Sequence, residues 1–223
     1  MILFLALLLY GSVARHEEGA NSDLDLMAII KENRLEKRHE IRCGVTVEFL
    51  EMSLDILQNF IDKNEVPMYF ALAEGILLFD KNSGITPLIA QAKAILEKSP
   101  PANKKWEDER YRTKKRSDLT EIYTDLLDIE DEIVFNYVVS LLIAGAIPLL
   151  LENSHLWTQS RKKTMENLRV QCHEGYTYIE VLLSPTRSLP EKRAAAERLI
   201  EYVLKPYGGI LKGESVIFRN DGV

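Results

Sequence analysis

The feature that most constrains this chain is the unbroken apolar run Ile2-Leu3-Phe4-Leu5-Ala6-Leu7-Leu8-Leu9-Tyr10, which stops at Gly11-Ser12. A short apolar run without polar alternation reads as a strand buried on both faces, so it demands a sheet with cover on each side. It also ends on glycine, where the backbone can approach a bound group closely. After ten further residues comes Asp23-Leu24-Asp25-Leu26-Met27-Ala28-Ile29-Ile30, which reads as a second strand preceded by the turn formers Asn21 and Ser22.

The residue types between and within these strands point to anion and cation chemistry side by side. Unsatisfied backbone N–H groups at a turn-to-helix junction attract a polyphosphate, and the Ser12 hydroxyl adds a donor. The segment Val13–Glu18 predicts a turn or two of helix stopped at Gly19, which would set Arg15 near that anion. Along the second strand, residues two apart share a face, so Asp23 and Asp25 point one way and Leu24 and Leu26 the other. Their spacing of about 6 to 7 Å suits Mg²⁺ ions bridged by phosphates. A third carboxylate is supplied by Glu48 in Gly44-Val45-Thr46-Val47-Glu48-Phe49-Leu50, where Val45, Val47 and Phe49 form a core face and Thr46 and Glu48 the other.

The same N-terminus imitates a secretory leader, an apolar stretch followed by Ser12-Val13-Ala14. No positive charge precedes the run and nine apolar residues are too few for a membrane-spanning helix, so a strand is the better reading. The net charge of −6 argues against a general nucleic-acid surface, and 46% hydrophobic residues suffice for a sizeable core. Cys43 and Cys172 lie far apart and read as small core residues rather than as a disulfide or zinc pair. His16, His39, His155 and His173 form no spaced ligand pair. These features together suit a cytoplasmic protein without a membrane partner.

Downstream, Ser53 caps a helix with Leu54, Leu57, Phe60 and Ile61 as its buried stripe, interrupted at Asn64 and Pro67. Gly75–Asp80 reads as a strand, Lys81–Gly84 as a turn, and Pro87–Glu97 as a helix. The expected architecture is an α/β (α+β) mixed-sheet domain over residues 1–98, a linker over 99–117, and an all-α helical bundle domain over 118–223. The linker begins at Ser99-Pro100-Pro101 and holds Lys104–Arg116, seven basic and three acidic residues with Trp106 and Tyr111 interleaved. That stretch reads as a solvated connector or helix end in preference to a phosphate or base grip. A long helix capped by Asp118 carries Ile122, Leu126, Ile129, Ile133, Val134, Tyr137, Val138, Leu141 and Leu142 as its stripe and breaks at Pro148. A second helix follows over about Thr158 to Cys172, and a third starts at Ser188-Leu189-Pro190-Glu191. The acidic cluster Asp125, Asp128, Glu130, Asp131 and Glu132 reads as a solvated face.

The run Leu9-Tyr10-Gly11-Ser12-Val13-Ala14-Arg15 followed by Ser22-Asp23-Leu24-Asp25-Leu26, with Val47-Glu48-Phe49-Leu50 beyond, resembles the glycine-serine and Asp-x-Asp motifs of the nucleotidyltransferase superfamily with the DNA polymerase beta-like fold, minimal type. The resemblance covers residues 5 to 60, and His16 stands where many relatives carry glycine. It implies that Asp23, Asp25 and Glu48 are catalytic and hold two Mg²⁺ ions, with Mn²⁺ as a substitute. Gly11, Ser12 and Arg15 would bind the triphosphate of an NTP, ATP first. The implied reaction moves an NMP to a hydroxyl or phosphate acceptor with release of pyrophosphate. The acceptor is a small molecule or a protein before an RNA end, and the protein partners it admits are a second copy or a partner toxin. The rival reading is a non-catalytic, antitoxin-like regulator that keeps the fold and binds a nucleotide or a partner.

Overall fold

The computed structural model describes residues 4–211. Ile2 and Leu3 at the start of the apolar run, and the last twelve residues of the expected bundle domain, lie outside them. The chain divides into two compact units, Met1–Ser99 and Pro100–Val223. The first holds five strands and four helices among its described residues. These are β1 (Phe4–Tyr10), α1 (Gly11–Ala14), β2 (Leu24–Ile30), β3 (Leu35–Arg42), β4 (Val45–Ser53), α2 (Leu54–Asp62), α3 (Val66–Glu74), β5 (Ile76–Asp80) and α4 (Ile85–Leu96).

The strands form one mixed sheet in the order β3-β4-β2-β1-β5, in which only the β2–β4 pairing is parallel. β3 makes that parallel pairing accessible, because a hairpin on the outer edge of the sheet returns the chain beside β2. Its two-residue loop is Cys43-Gly44, with φ of +50° and +80°, the left-handed pair that matches the twist of a tight hairpin. The sequence reading did not anticipate β3. Its residues, Leu-Glu-Lys-Arg-His-Glu-Ile-Arg, carry charge on both faces and lack an apolar alternation.

One face of the sheet presents Ala6, Leu8, Met27, Ile29 and Met52, all buried, and the other buries Ala28, Ile30 and Val47. Burial on both faces holds for β2 from Leu26 to Ile30; in β1 only Ala6 and Leu8 are buried and the intervening leucines are partly covered. Val45, expected in the core, is exposed beside the hairpin turn, as is Cys43. Ser53 caps α2 as expected, its Oγ accepting from the Ile56 N–H at 3.3 Å, and Pro67 sits in the first turn of α3.

On the parity opposite the site, the Glu51 carboxylate is fully buried between two arginines. Arg38 donates to Oε1 through Nε and Nη2 at 3.1 and 2.9 Å, and Arg34 donates to Oε2 at 2.7 Å. The Arg38 guanidinium lies 4.3 Å from the Phe49 ring centroid. A buried charge is tolerable when it is paired and hydrogen-bonded in this way.

The second unit is helical throughout its described elements. It comprises a short 3-10 turn (Lys104–Glu107), α5 (Glu109–Asp128), α6 (Glu132–Asn153), α7 (Arg161–Gln171), α8 (His173–Leu183), α9 (Leu189–Leu204) and a closing 3-10 turn (Lys205–Tyr207). Within 99–117, the expected linker, lie the 3-10 turn and the first nine residues of α5. Asp108 caps α5 ten residues before the expected start, accepting from the Arg110 N–H at 2.8 Å. Trp106 stacks on Tyr207 with centroids 3.8 Å apart and donates its indole N–H to Glu152 at 2.6 Å. Arg112 and Arg116 bond the carbonyls of Trp106, Gly208 and Gly209.

The expected single helix from Asp118 to Pro148 is two helices. The break falls at Ile129-Glu130-Asp131, where Asp131 Oδ1 accepts from the N–H groups of both Ile133 and Val134 at 2.9 Å. Arg193 satisfies the carbonyls left open at the end of α5, donating to Leu126 O and Ile129 O at 2.9 and 2.7 Å. Pro148 does not end α6. It and Ala144 are exposed, so water can satisfy the carbonyl that proline leaves unbonded.

By length and mean hydropathy α6 alone among the described helices could cross a membrane. It buries Phe135, Val139, Leu142, Ile143, Ala146 and Leu149–Leu151 in the core of this unit. Helix α8 was also unforeseen, since it begins directly after Cys172 and contains Gly175, whose lack of a Cβ lets Leu150 and Cys172 pack against it. At α9 the expected cap is present: the Ser188 N–H donates to Glu191 at 2.9 Å in a capping box.

Candidate metal and nucleotide site

Register decides which side chains meet. β1, β2 and β4 pair so that Tyr10 lies opposite Asp25 and Asp25 opposite Glu48. Paired residues on neighbouring strands point to one face. Asp23 is two residues earlier on the same parity, so all three carboxylates converge at one end of the face that holds Leu8 and Met27 lower down. Ligand oxygens of Asp23, Asp25 and Glu48 all fall within 4.8 Å of one another, each side chain partly buried.

Gly11 allows this convergence in two ways. Its φ of +75° is a left-handed conformation that other residues adopt at a cost. A Cβ built there would also stand 2.9 Å from Asp25 Cγ, with Oδ2 closer still. Only the missing side chain lets the carboxylate lie against the backbone.

The turn after Gly11 is shorter than expected. Helix α1 ends at Ala14, and His16, at φ +56°, takes the left-handed position anticipated for Gly19. The Glu17 N–H bonds back to Ser12 O at 3.0 Å. Gly19 instead closes a turn with Ser22, its N–H donating to Ser22 Oγ at 2.9 Å. Arg15 forms ion pairs with Glu17 at 2.8 Å and Glu74 at 3.1 Å, and it still acts on Asp25 electrostatically.

Crowding of negative charge registers in the acidities. Burial first, then Asp23 and Glu48, push the Asp25 carboxyl up to about 6, against smaller opposing effects of Lys37 and Arg15. Burial, with Glu48 and Asp25 beside it, also raises the Tyr10 phenol, which keeps it a donor. Its O–H reaches Glu48 Oε1 at 3.1 Å. The other oxygen, Oε2, meets Lys37 Nζ at 2.8 Å and lies 3.8 Å from His39 Nε2.

Tyr10, Lys37 and His39 are contacts that the sequence reading missed. The signal was the alternation Lys37, His39, Ile41 facing Glu48, legible only once β3 is known to be a strand. The donor set itself, three hard carboxylate oxygens with an ionisation already resisted by mutual repulsion, suits a divalent cation such as Mg²⁺ or Mn²⁺.

Comparisons with known proteins agree with this geometry. Residues 4–84 match the family described as Polymerase beta, Nucleotidyltransferase. Among solved structures, the chain is similar to a nucleotidyltransferase-like protein from Exiguobacterium sibiricum 255-15, at 15% identity and a TM-score of 0.50, covering 91% of this chain and 69% of that one. At that identity the likeness concerns the fold. No curated protein matches the chain. The stretch that builds the carboxylate cluster is thus a nucleotidyltransferase domain of the polymerase beta family, carried by this chain over residues 4–84.

Proposed function

We propose that the protein is a metal-dependent nucleotidyltransferase that moves an NMP from an NTP, ATP first, to a hydroxyl or phosphate acceptor and releases pyrophosphate. The observation that carries this reading is the meeting of Asp23, Asp25 and Glu48 within 4.8 Å beside a glycine that Asp25 needs. A merely structural cluster has no reason to gather three carboxylates at a cost to Asp25.

In this reading Asp23, Asp25 and Glu48 hold two Mg²⁺ ions. Bound there, the ions would neutralise the phosphates and stabilise charge developing on the leaving group. Gly11 and Ser12 approach the triphosphate closely, and Arg15 supplies positive charge on the same side of the turn. The acceptor oxygen bonds to the α-phosphorus as the bond from that phosphorus to the bridging oxygen breaks. Glu48 takes the acceptor's proton, and pyrophosphate carries away the electron pair. The acceptor is a small molecule or a protein side chain; the acidic chain makes an RNA end a poor candidate.

Incubation with each α-labelled NTP, Mg²⁺ and a cell extract tests the reading. Label should enter one extract fraction with the wild type and not with Asp23→Asn, Asp25→Asn. Nucleotide binding without any label transfer would instead mark a non-catalytic regulator.

A further inference from the structure

Glu48 is not a free ligand. Each of its oxygens has a partner, Tyr10 on Oε1 and Lys37 on Oε2. Strand β3 supplies cations to carboxylates on both faces of the sheet, and the two cases differ in kind. Toward the buried Glu51 it directs Arg38, helped by Arg34, and the two guanidiniums make three hydrogen bonds of 2.7 to 3.1 Å to a carboxylate with no exposure of its own. Toward Glu48 it directs a lysine whose side chain is 54% exposed, against 12% for Glu48. An ammonium on a flexible, half-solvated stem is a point charge that can swing into water, whereas the fully buried Glu51 is held by three N–H donors of Arg38 and Arg34 together.

We propose that Lys37 is a tethered cation that holds the third carboxylate in the ion-free protein and that a divalent ion must displace to bind. This rests on the reading of Asp23, Asp25 and Glu48 as a metal site, and assigns to β3 the setting of that site's ion affinity. The lysine relieves repulsion among the three carboxylates when no ion is present, and it competes for Glu48 when one arrives. Tyr10, a neutral donor on the other oxygen, keeps Glu48 oriented in both situations.

The test is Mn²⁺ binding to the full chain, followed by electron paramagnetic resonance of the free ion. The proteins are the wild type, Lys37→Met, Lys37→Gln, Lys37→Arg and Asp25→Asn, each checked for a cooperative urea transition. Removing one positive charge in contact with the site should tighten binding about tenfold in Lys37→Met and Lys37→Gln, while Lys37→Arg stays at or above the wild-type Kd. Unchanged or weaker binding in both neutral variants overturns the proposal. If Asp25→Asn binds Mn²⁺ as the wild type does, the metal-site reading itself fails. If Asp25→Asn loses binding while the neutral lysine variants match the wild type, only the role of Lys37 is lost. Should the wild type bind too weakly to measure, binding that appears in the neutral lysine variants supports the proposal, and its absence there overturns it.

Discussion

Replacing Asp25 by asparagine should make the ion-free protein more stable while removing its response to Mg²⁺. The Asp25 carboxyl titrates at about 6 in the fold against 3.8 ordinarily, a difference of about two pH units, equivalent to ~3 kcal/mol. Asp25 is only half-buried, so solvent screening reduces this to ~1.5 kcal/mol.

The folded state holds the proton more tightly than the unfolded chain. Stability therefore falls as pH rises from about 4 to about 6, and the full cost is present above 6. At pH 7.5 without metal, Asp25→Asn should gain ~1.5 kcal/mol; at pH 3.5 the gain should vanish. Mg²⁺ at ten times its Kd should stabilise the wild type by about 1.4 kcal/mol and leave the variant unmoved. Below pH 6, protonation of Asp25 should weaken ion binding by about tenfold per pH unit.

Both tryptophans, Trp106 and Trp157, belong to the helical unit, so the sheet is followed by probes of its own. Urea unfolding followed by hydrogen exchange of the β2 and β4 amides gives the relevant free energy. A variant less stable than the wild type at pH 7.5, or one that Mg²⁺ stabilises equally, would refute the reasoning.

Further expectations concern other positions. Gly11→Ala should lose Mn²⁺ and nucleotide binding and cost about 1 to 3 kcal/mol, because the left-handed φ and the collision with Asp25 both oppose it; titration calorimetry and urea unfolding measure the two effects. Glu51→Ala should destabilise by about 1 to 3 kcal/mol by removing the charged acceptor of three arginine hydrogen bonds, and Glu51→Gln should also be destabilising, both read from urea midpoints of the sheet amides. Asp131→Ala should cost about 1 kcal/mol, seen in tryptophan-detected unfolding of the helical unit, since it removes the acceptor for two N–H groups at the start of α6.

The carboxylate cluster was legible because strand parity is a strict rule. Once Asp23–Ile30 and Val45–Leu50 are strands, Asp23, Asp25 and Glu48 have few places to point. The mixed sheet followed by helices was legible for a similar reason, as the apolar runs and the caps at Ser53 and Ser188 are local signals. What escaped was set by distant partners. One face of β3 is polar because Arg38 answers a buried glutamate thirteen residues away, joined by Arg34 from just before the strand, and the other turns Lys37 and His39 to Glu48, none of which periodicity reveals. The division at Asp131 and the start at Asp108 depended on which of several acidic residues serves as a cap. Arg193, more than sixty residues on in the chain, closes the first of those helices. Arg15, expected at the triphosphate, has bonds that run to Glu17 and to Glu74 on α3, which the sequence does not announce.

The β3–β4 hairpin also governs how this chain can drift over evolutionary time. Glu48 reaches the cluster only because the β2–β4 register sets it beside Asp25. Losing one residue between Val45 and Glu48 would swing either Glu48 or the apolar side chains around it to the wrong surface, whereas trimming two cross-strand partners from the hairpin tip leaves every orientation intact. Length changes in residues 35–47 should accordingly be tolerated in pairs and selected against singly.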